Sequence, residues 1–536
     1  MKRIYIYLIL QVMMLISVKL QAQHWEWIKH IGGKGTDEAK GFALDSKDHI
    51  YLLFTTTDTL TIDNNTVFNG TYLAKYDSSG TLLWIKLAPV YSSLINIDKT
   101  DNILLGGIYN YSSFIISKYD SSFTFNWSIQ FNTVANVINK LTSLILDKNN
   151  NILISGDFNK WLTINNDTLF AHWEHDEFII KINPLSNVIN YIHIFFLTDG
   201  YDDDHFLGNL RVNTDNDNNI FFSGVLRGII QINTDVLIST SGSPEYCSKT
   251  FLCKYDSSFN FKWEKLLNNG CIGGNLAITS NNIFMEGLSK GSILLEDTLI
   301  AGNDSNYSAF ILKLDTSYHF LNNNWGYFNS NPNYFSSAWF GSMYIDSVSN
   351  FIIEGNIVST PMIIGQDTIN NISQGYSSLI LKFNQNLDFL SYKQIMFTNS
   401  NSRGHLFLSN DKNSVYCWGN FKDTAYFDNY TYISKSDNDF YLAKINSKSL
   451  SLEPIDNNYV YYTVYPNPTT GNILINSGIQ NQKAVISIYD MYGRSIYSCT
   501  TKTFPLQISL IGNKPGLYFV KITTDKNIYT KKIIIE

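Results

Sequence analysis

Along most of the chain, apolar and polar residues alternate in short runs, and each run ends in a cluster of Asp, Asn, Ser or Gly. A period of two puts every other side chain on one face of a strand, and the polar clusters favour turns. The pattern therefore predicts short strands joined by hairpins. The stretch LDKNNNILISG, residues 146–156, shows the unit: a strand, an Asx-type turn and a second strand closing on glycine. Related stretches begin at Leu44, Ile97, Asn213, Ala277, Ile345 and Leu408, which makes seven. Glycine closes six of them, at Gly107, Gly156, Gly224, Gly287, Gly355 and Gly419, where a bend or a close neighbour is expected. Phe54 stands there in the first copy.

A second phrase follows each copy: apolar-x-x-Lys-apolar-Asp/Asn, centred on Lys75, Lys118, Lys181, Lys254, Lys313, Lys382 and Lys444. The intervals are 43, 63, 73, 59, 69 and 62 residues, the size of a supersecondary unit with inserted loops. An aromatic comes nine residues after the lysine at Trp84, Trp127 and Trp263, and slightly later at Tyr191, Trp325 and Tyr392. Each unit thus reads as four strands: two around the first turn, one carrying the lysine and one carrying the aromatic. In most units a variable segment, such as TLTIDNNTVF or WLTINNDTLF, lies between the second and third strands.

Seven such units in series predict an all-β fold, either a seven-bladed β-propeller or a β-solenoid. The propeller is favoured because the unit is hairpin-like, the number suits a ring of blades, and the ends match. The seventh unit has Glu453 where its aromatic belongs, while HWEWIKHIGG, from His24, is a fourth strand without a unit. Its Trp27-Ile28-Lys29 matches Trp84-Ile85-Lys86, so this strand is expected to complete the last blade. The alternative is that SLSLEPI, residues 449–455, fills that place itself. The combined pattern, seen in WIKHIGGKGTDEAKGFALD (residues 27–45) and the copies above, resembles the bacterial seven-bladed propeller repeat called SBBP over roughly residues 24–455. That resemblance implies a fold more than an activity.

The two chain ends depart from the repeat. Residues 1–22 combine a basic start, the 15-residue apolar run IYIYLILQVMMLISV and a small residue at Ala22. This is the form of a secretory signal peptide with the mature chain starting near Gln23, the alternative being an uncleaved anchor. No later apolar run is long enough to span a bilayer. After the propeller region (23–456), residues 457–536 carry about seven strands in VYPNPTTGNILINS, AVISIYDMYGRSIYS and PGLYFVKITTDKNIYTKKIIIE, a small Ig-like β-sandwich. Its pieces come in a set order: Tyr465-Pro466-Asn467-Pro468 with Gly471, Tyr489-Asp490 with Gly493-Arg494, Gly516-Leu517-Tyr518, and Lys531-Lys532 before a last apolar strand. They resemble the type A C-terminal sorting domain of the Bacteroidetes type IX secretion system. The resemblance implies Sec export to the periplasm, recognition by the outer-membrane translocon, and release or attachment at the cell surface. In many family members the domain is then cut off.

Composition changes this picture little. Hydrophobic residues at 44% and charged residues at 16% exclude general disorder, and the 15% of aromatics suits strands. The net charge of -7, with no Lys/Arg cluster, argues against nucleic acid. Of five cysteines, Cys247 and Cys271 flank one unit and could meet, Cys253 and Cys417 sit in apolar strands as core residues, and Cys499 is left over.

Candidate chemistry is sparse. GYDDDHF offers Asp202, Asp203 and Asp204 to a cation in a loop that departs from the repeat. In AHWEHDEF, strand alternation puts His172 and His175 on opposite faces. NTDNDNN, with Asp215 and Asp217, coincides with the turn that every unit makes, and lacks the Gly and closing Glu of a calcium loop. No cofactor motif is present. The seven lysines read as framework, their stems packed on neighbouring aromatics. The strongest departure from the repeat is LNNNWGYFNSNPNYFSSAWFG, where Trp325, Tyr327, Tyr334 and Trp339 alternate with Asn and Ser, as a platform for sugar rings or a partner protein would. Trp325 also serves there as a blade aromatic. The reading is a secreted or surface-displayed binding module for glycan or protein. A polysaccharide-active hydrolase or lyase, working at the channel mouth with a carboxylate pair, is the alternative.

Overall fold

In a computed structural model the chain forms two compact units, Met1–Ile455 and Asp456–Glu536. The structure describes residues 25–536 except 111, 135–138, 173–174, 198–205, 235, 240–248, 268–270, 280, 291, 296–297, 301–306, 329–337, 359–361, 365–366, 370–375, 400–402, 429, 448–449, 451–461, 466–468, 478–482 and 525–527. Residues 1–22, expected as a signal peptide, Cys247 and Glu453 lie outside the described residues. Among them, no helix is long and apolar enough to cross a membrane.

The first unit contains seven four-stranded antiparallel sheets in chain order. The first is Asp37–Leu44, Ile50–Thr56, Gly70–Tyr76 and Leu82–Leu87. The third is Lys140–Leu146, Ile152–Phe158, Asp176–Ile182 and Val188–Phe196. The seventh is Arg403–Leu408, Ser414–Phe421 and Asp439–Asn446, closed by Trp25–Ile31 from the other end of the chain. That last pairing sets Trp27 opposite Lys444 and Ile31 opposite Phe440. First strands of successive sheets lie against one another, and the first strand of sheet one packs on strands of sheet seven. The result is a closed, propeller-like ring, and the N-terminal strand rather than residues 449–455 completes the last sheet.

The repeated residues explain why each sheet forms. In every first hairpin but the fifth and seventh, an Asp accepts amides two and four residues on, as Asp98 Oδ1 does from Thr100 and Asn102 at 2.9 Å each. Each described turn there also holds a residue in the left-handed region, Asp48, Asp101, Asn150, Asn218, Ser349 or Lys412. Several of these bind the adjacent sheet. Asp101 Oδ1 accepts from Ser46 N at 2.8 Å, Asn218 Oδ1 from Lys148 N at 2.8 Å, and Asp48 Oδ1 from Asn410 N at 2.8 Å across the closure. The glycines sit where a neighbour approaches: a Cβ on Gly107 would lie 1.7 Å from the Tyr91 carbonyl oxygen.

The lysine and the aromatic meet directly. Lys75 faces Trp84, Lys118 faces Trp127, Lys254 faces Trp263 and Lys444 faces Trp27, with a register shift beside each pair. Elsewhere the facing residues are Asn190, Asn322 and Ser391. Trp325, expected as a blade aromatic, therefore lies three residues past that position, opposite Phe310. Bulges set this register, and spacing alone does not reveal them. Four ammonium groups pair with the turn aspartate of their own sheet: Lys75–Asp45 3.1 Å, Lys118–Asp98 2.7 Å, Lys181–Asp147 3.1 Å and Lys382–Asp346 3.0 Å. Four also donate to a carbonyl just past the next sheet's third strand: Lys181 to Ser257 O at 3.4 Å, Lys313 to Gln385 O at 3.0 Å, Lys382 to Ser447 O at 2.8 Å and Lys444 to Ser78 O at 3.4 Å.

Six sheets carry an inserted hairpin between second and third strands; the second sheet goes straight from Ile103–Tyr109 to Ser113–Tyr119. Three of the hairpins extend the preceding sheet to six strands, Ile229–Ile232 pairing with Val188–Phe196 in one case. The second unit has seven strands in two sheets, of three and four strands, around one core that includes Ile475, Ile486, Val520 and Ile533.

Lys382 is 1% exposed, so Lys382→Ala strands a buried carboxylate and is expected to cost about 3–5 kcal/mol. Lys444→Ala removes a part-exposed pair and is expected to cost roughly 1 kcal/mol. Thermal melts ranking the two variants the other way would contradict this account of the lysine pairs.

Candidate functional site

Sheets three, five and six bury acids that the repeat does not require, and Arg211 of sheet four and His405 of sheet seven lie near them. Glu286 and Glu354 sit just before the recurrent glycines of sheets five and six, where other sheets have Leu53, Gly106, Ser155, Ser223 or Trp418. Both are buried, at 3% and 4% exposure. Glu286 Oε1 accepts from Asn275 N at 2.7 Å and Asn275 Nδ2 at 3.0 Å, and Asn275 Oδ1 accepts from Arg211 Nε of sheet four at 2.9 Å. Glu354 Oε1 lies 3.6 Å from His405 Nδ1 of sheet seven and accepts from Asn356 Nδ2 at 3.4 Å. In sheet three, Glu177 stands directly opposite Asp157 on adjacent strands.

Burial dominates the electrostatics. Desolvation raises Glu286 to about 8, against hydrogen bonds from Asn275 and the field of Arg211 and with that of Glu354. Desolvation and the neighbouring Asp157 raise Glu177 to about 8. Asp157, half-buried, rises to about 6 through desolvation, offset by His175 and Lys140. A carboxyl held neutral near pH 7 can donate a proton or a hydrogen bond. These two glutamates, though, are walled in by their own sheets.

The sequence pattern marks Gly287 and Gly355 but does not single out Glu286 and Glu354 before them, or Glu177. The available signal was a charged residue at a repeat position that is otherwise small or apolar. Asn275, Arg211 and His405 carry no such mark, because their meeting depends on sheets far apart in sequence.

The predicted residues fall as follows. Asp202, Asp203, Asp204 and Tyr334 lie outside the described residues. Trp325 and Tyr327 are on Phe320–Phe328, where Tyr327 faces Ile363, and Trp339 is on Ala338–Ile345, facing Asn356. The backbone therefore places them on adjacent sheets, five and six. His172 and His175 do part: His172 turns to Asp176, while His175 Nε2 lies 3.2 Å from Leu207 O of the fourth sheet. Asp215 makes the expected turn, its Oδ1 accepting from Asp217 N and Asn219 N at 2.9 Å each. Cys253 and Cys417 are fully buried, their thiols pushed well above the usual range by desolvation.

In the C-terminal unit, Pro466, Asn467 and Pro468 lie outside the described residues, and Tyr465 pairs with Leu474. Gly471, Gly493 and Gly516 have φ of +122°, +79° and +149°, a region that favours glycine. Gly493 closes the turn in which Asp490 caps Tyr492 N and Arg494 N and pairs with the Arg494 guanidinium at 2.7 Å. The Tyr518 hydroxyl donates to Lys514 O at 2.7 Å. Lys531 and Lys532 lie on the final strand, Ile528–Ile535, opposite Val520 and Phe519. That strand is pinned at its end, where Glu536 N donates to Thr469 O at 2.9 Å.

These features define an all-β, propeller-like ring followed by a small two-sheet unit. Residues 463–536 match the model of the secretion system C-terminal sorting domain. This domain marks proteins exported by type IX secretion, through the periplasm, to the cell surface or the medium. No curated protein matches the chain in sequence. Among solved structures the chain is similar to the phage phi92 endosialidase, at 10% identity over 95% of this chain and 79% of that one, with a TM-score of 0.33. It is also similar to PorZ, a surface component of the type-IX secretion system of Porphyromonas gingivalis, at 10% identity over 95% and 100%, with a TM-score of 0.16. Likenesses this distant carry no argument, and the fold rests on its own sheets.

The buried Glu286 predicts a pH dependence. Its folded pKa, about 8, lies above the usual 4.5, so the folded chain keeps a proton that the unfolded chain releases. Its contribution is full below about pH 4.5 and is lost as pH rises towards 8, by up to about 1.4 kcal/mol per unit. Glu286→Gln keeps the acceptor and the neutral form, so melting temperatures should fall less between pH 5 and 8 in the variant than in the parent. Parallel profiles would refute the assignment.

Proposed function

We propose that the chain is a secreted or cell-surface protein whose first unit is a seven-bladed β-propeller of the SBBP type, spanning residues 23–456 after loss of a signal peptide. The second unit, residues 457–536, is an Ig-like export domain engaged by the Sec and type IX machinery. The propeller is a non-catalytic binding module for glycan or protein. One observation supports this reading. The hairpin that covers the outer strand of the preceding sheet is missing from sheet two, and its loss bares apolar surface at one end of the ring. Leu87, Val90 and Tyr109 are exposed there, and Phe68 stands exposed just past the hairpin of sheet one. Sequence marks the place as the shortest interval, 43 residues from Lys75 to Lys118. Exposed apolar residues grouped in this way characterise interaction surfaces. Trp325, Tyr327 and Trp339 provide a second candidate platform.

A polysaccharide-active hydrolase or lyase is the alternative, and Glu286, neutral near pH 7 and close enough to Glu354 to feel its charge, is the feature that favours it. Burial of both carboxyls keeps them from a substrate, so binding is the better reading.

Two measurements test the proposal. A glycan array and a surface pull-down with the full chain should give a ligand whose binding falls at least tenfold in the Phe68→Ala/Tyr109→Ala double variant. Silence in both assays would make the protein a structural envelope component. A chain ending at residue 462 should accumulate in the periplasm, and its appearance outside the cell at parental levels would separate export from the C-terminal unit.

A further inference from the structure

The third sheet holds a group of side chains with no use in the framework. Asp176 opens its third strand and is fully buried. His193, on the outer strand, sets Nε2 2.8 Å from Asp176 Oδ2. His172, where the inserted hairpin returns to the sheet, sets Nδ1 3.4 Å from the same oxygen. One donor atom from each residue lies within 4.8 Å of the other two. The rings are held in place: His172 stacks on Phe195 at 4.1 Å and 16°, and His193 lies 5.6 Å from Phe158.

The other sheets show what this position does without extra duties. In sheet seven, Asp439 Oδ2 takes His30 Nε2 at 2.6 Å, and Lys435 occupies the place of His172, its ammonium turned away to Gly32 O at 3.0 Å. In sheets two and six a serine and a glutamine make the same cross-strand bond, Gln130 to Ser113 at 2.8 Å and Gln394 to Ser377 at 3.0 Å. One pair is therefore enough for the fold. Among the described residues, sheet three alone aims two imidazoles at the buried aspartate. It also leaves Asp176 Oδ1 buried without a hydrogen-bond partner, and a cation at this carboxylate would offset that cost.

We propose that His172, Asp176 and His193 bind a divalent transition-metal ion of the zinc class. Two imidazole nitrogens and a carboxylate oxygen suit such ions, whereas calcium and magnesium take oxygen ligands. Tetrahedral bonds of about 2.0–2.1 Å require ligand separations of roughly 3.3 Å; the two histidine–aspartate separations are 2.8 and 3.4 Å, and the imidazole nitrogens lie within 4.8 Å of each other. The His172 side chain is 49% exposed, so the ion has a route in from solvent and a side open to water as a fourth ligand. Bound there, the ion ties the return of the inserted hairpin to the third and outer strands.

The test uses the purified full chain, freed of metal with a chelator, and zinc itself as probe. Calorimetric titration should show one zinc site that millimolar magnesium does not compete for, and cobalt should give visible absorption bands of a four-coordinate centre. His172→Ala, a substitution at a half-exposed position that the fold tolerates, should weaken zinc binding at least tenfold and abolish the cobalt bands. His319→Ala, at a surface His–Asp pair on sheet five, should change neither. Absence of zinc uptake by the parent chain, or a loss below tenfold in His172→Ala, overturns the assignment.

Discussion

A lysine ammonium repeated around the ring, buried in four sheets and half-buried in the other three, is the constraint on which the first unit depends. Burying a charge is costly unless it is paired, and each sheet meets that cost with what it has. In sheets two, three and six the lysine faces an aliphatic residue, Leu104, Leu153 or Ile352, and a turn aspartate pairs with it. In sheets five and seven the turn carries Thr279 or Ser409 instead, and the facing residue is Phe284 or Tyr416, whose ring lies 5.8 or 5.6 Å from the ammonium. Carboxylate and aromatic face both serve as counterparts to the charge: Lys75 has Asp45 at 3.1 Å and the Tyr51 ring at 4.7 Å, and Lys444 also pairs with Glu26 at 3.1 Å. The remaining donors go to a carbonyl in the next sheet. The charge therefore fixes a hairpin within its own sheet and the spacing to its neighbour together.

This arrangement frees the opposite end of each sheet. With the first and second turns locked by lysines, aspartates and left-handed residues, the connection between second and third strands can lengthen without disturbing the ring. Six sheets use that freedom to add a hairpin, and the hairpins in turn cover outer strands that would otherwise be open edges. Sheet one has no such cover from sheet two. Its chain turns at Pro89 just past the outer strand, and proline cannot donate to an added strand. The outer strand Leu82–Leu87 therefore ends at that turn, with Leu83 and Leu87 exposed.

The framework was legible in the sequence because it recurs. Seven lysines, the turn residues and the unpaired N-terminal strand fixed the sheets, and the match of Trp27 to Trp84 located the closing strand. Register was less legible: a bulge beside Lys313 moves Trp325 off the position that spacing assigns to it. Convergence was not legible at all. Glu286 reaches Arg211 over 75 residues, and His193 reaches His172 across the third strand, and neither distance leaves a trace in periodicity. Groups that differ between sheets are the ones a repeat conceals, and they are also where specific chemistry is found.

The same turn serves both units. Tyr76-Asp77-Ser78-Ser79-Gly80-Thr81 and Tyr489-Asp490-Met491-Tyr492-Gly493-Arg494 place aspartate and glycine alike, each aspartate capping amides two and four residues on. In the ring, Gly80 faces Trp27 of the closing strand, where an added Cβ would come within 3.1 Å. In the export unit, Gly493 has nothing within 4 Å, and Met491 and Tyr492 at the turn tip are exposed at 61% and 74%. An identical backbone device is buried as a joint in one unit and presented to solvent in the other. What sets the C-terminal turn apart from its counterpart in the ring is therefore its environment: one tip is covered by the closing strand and the other is left to solvent.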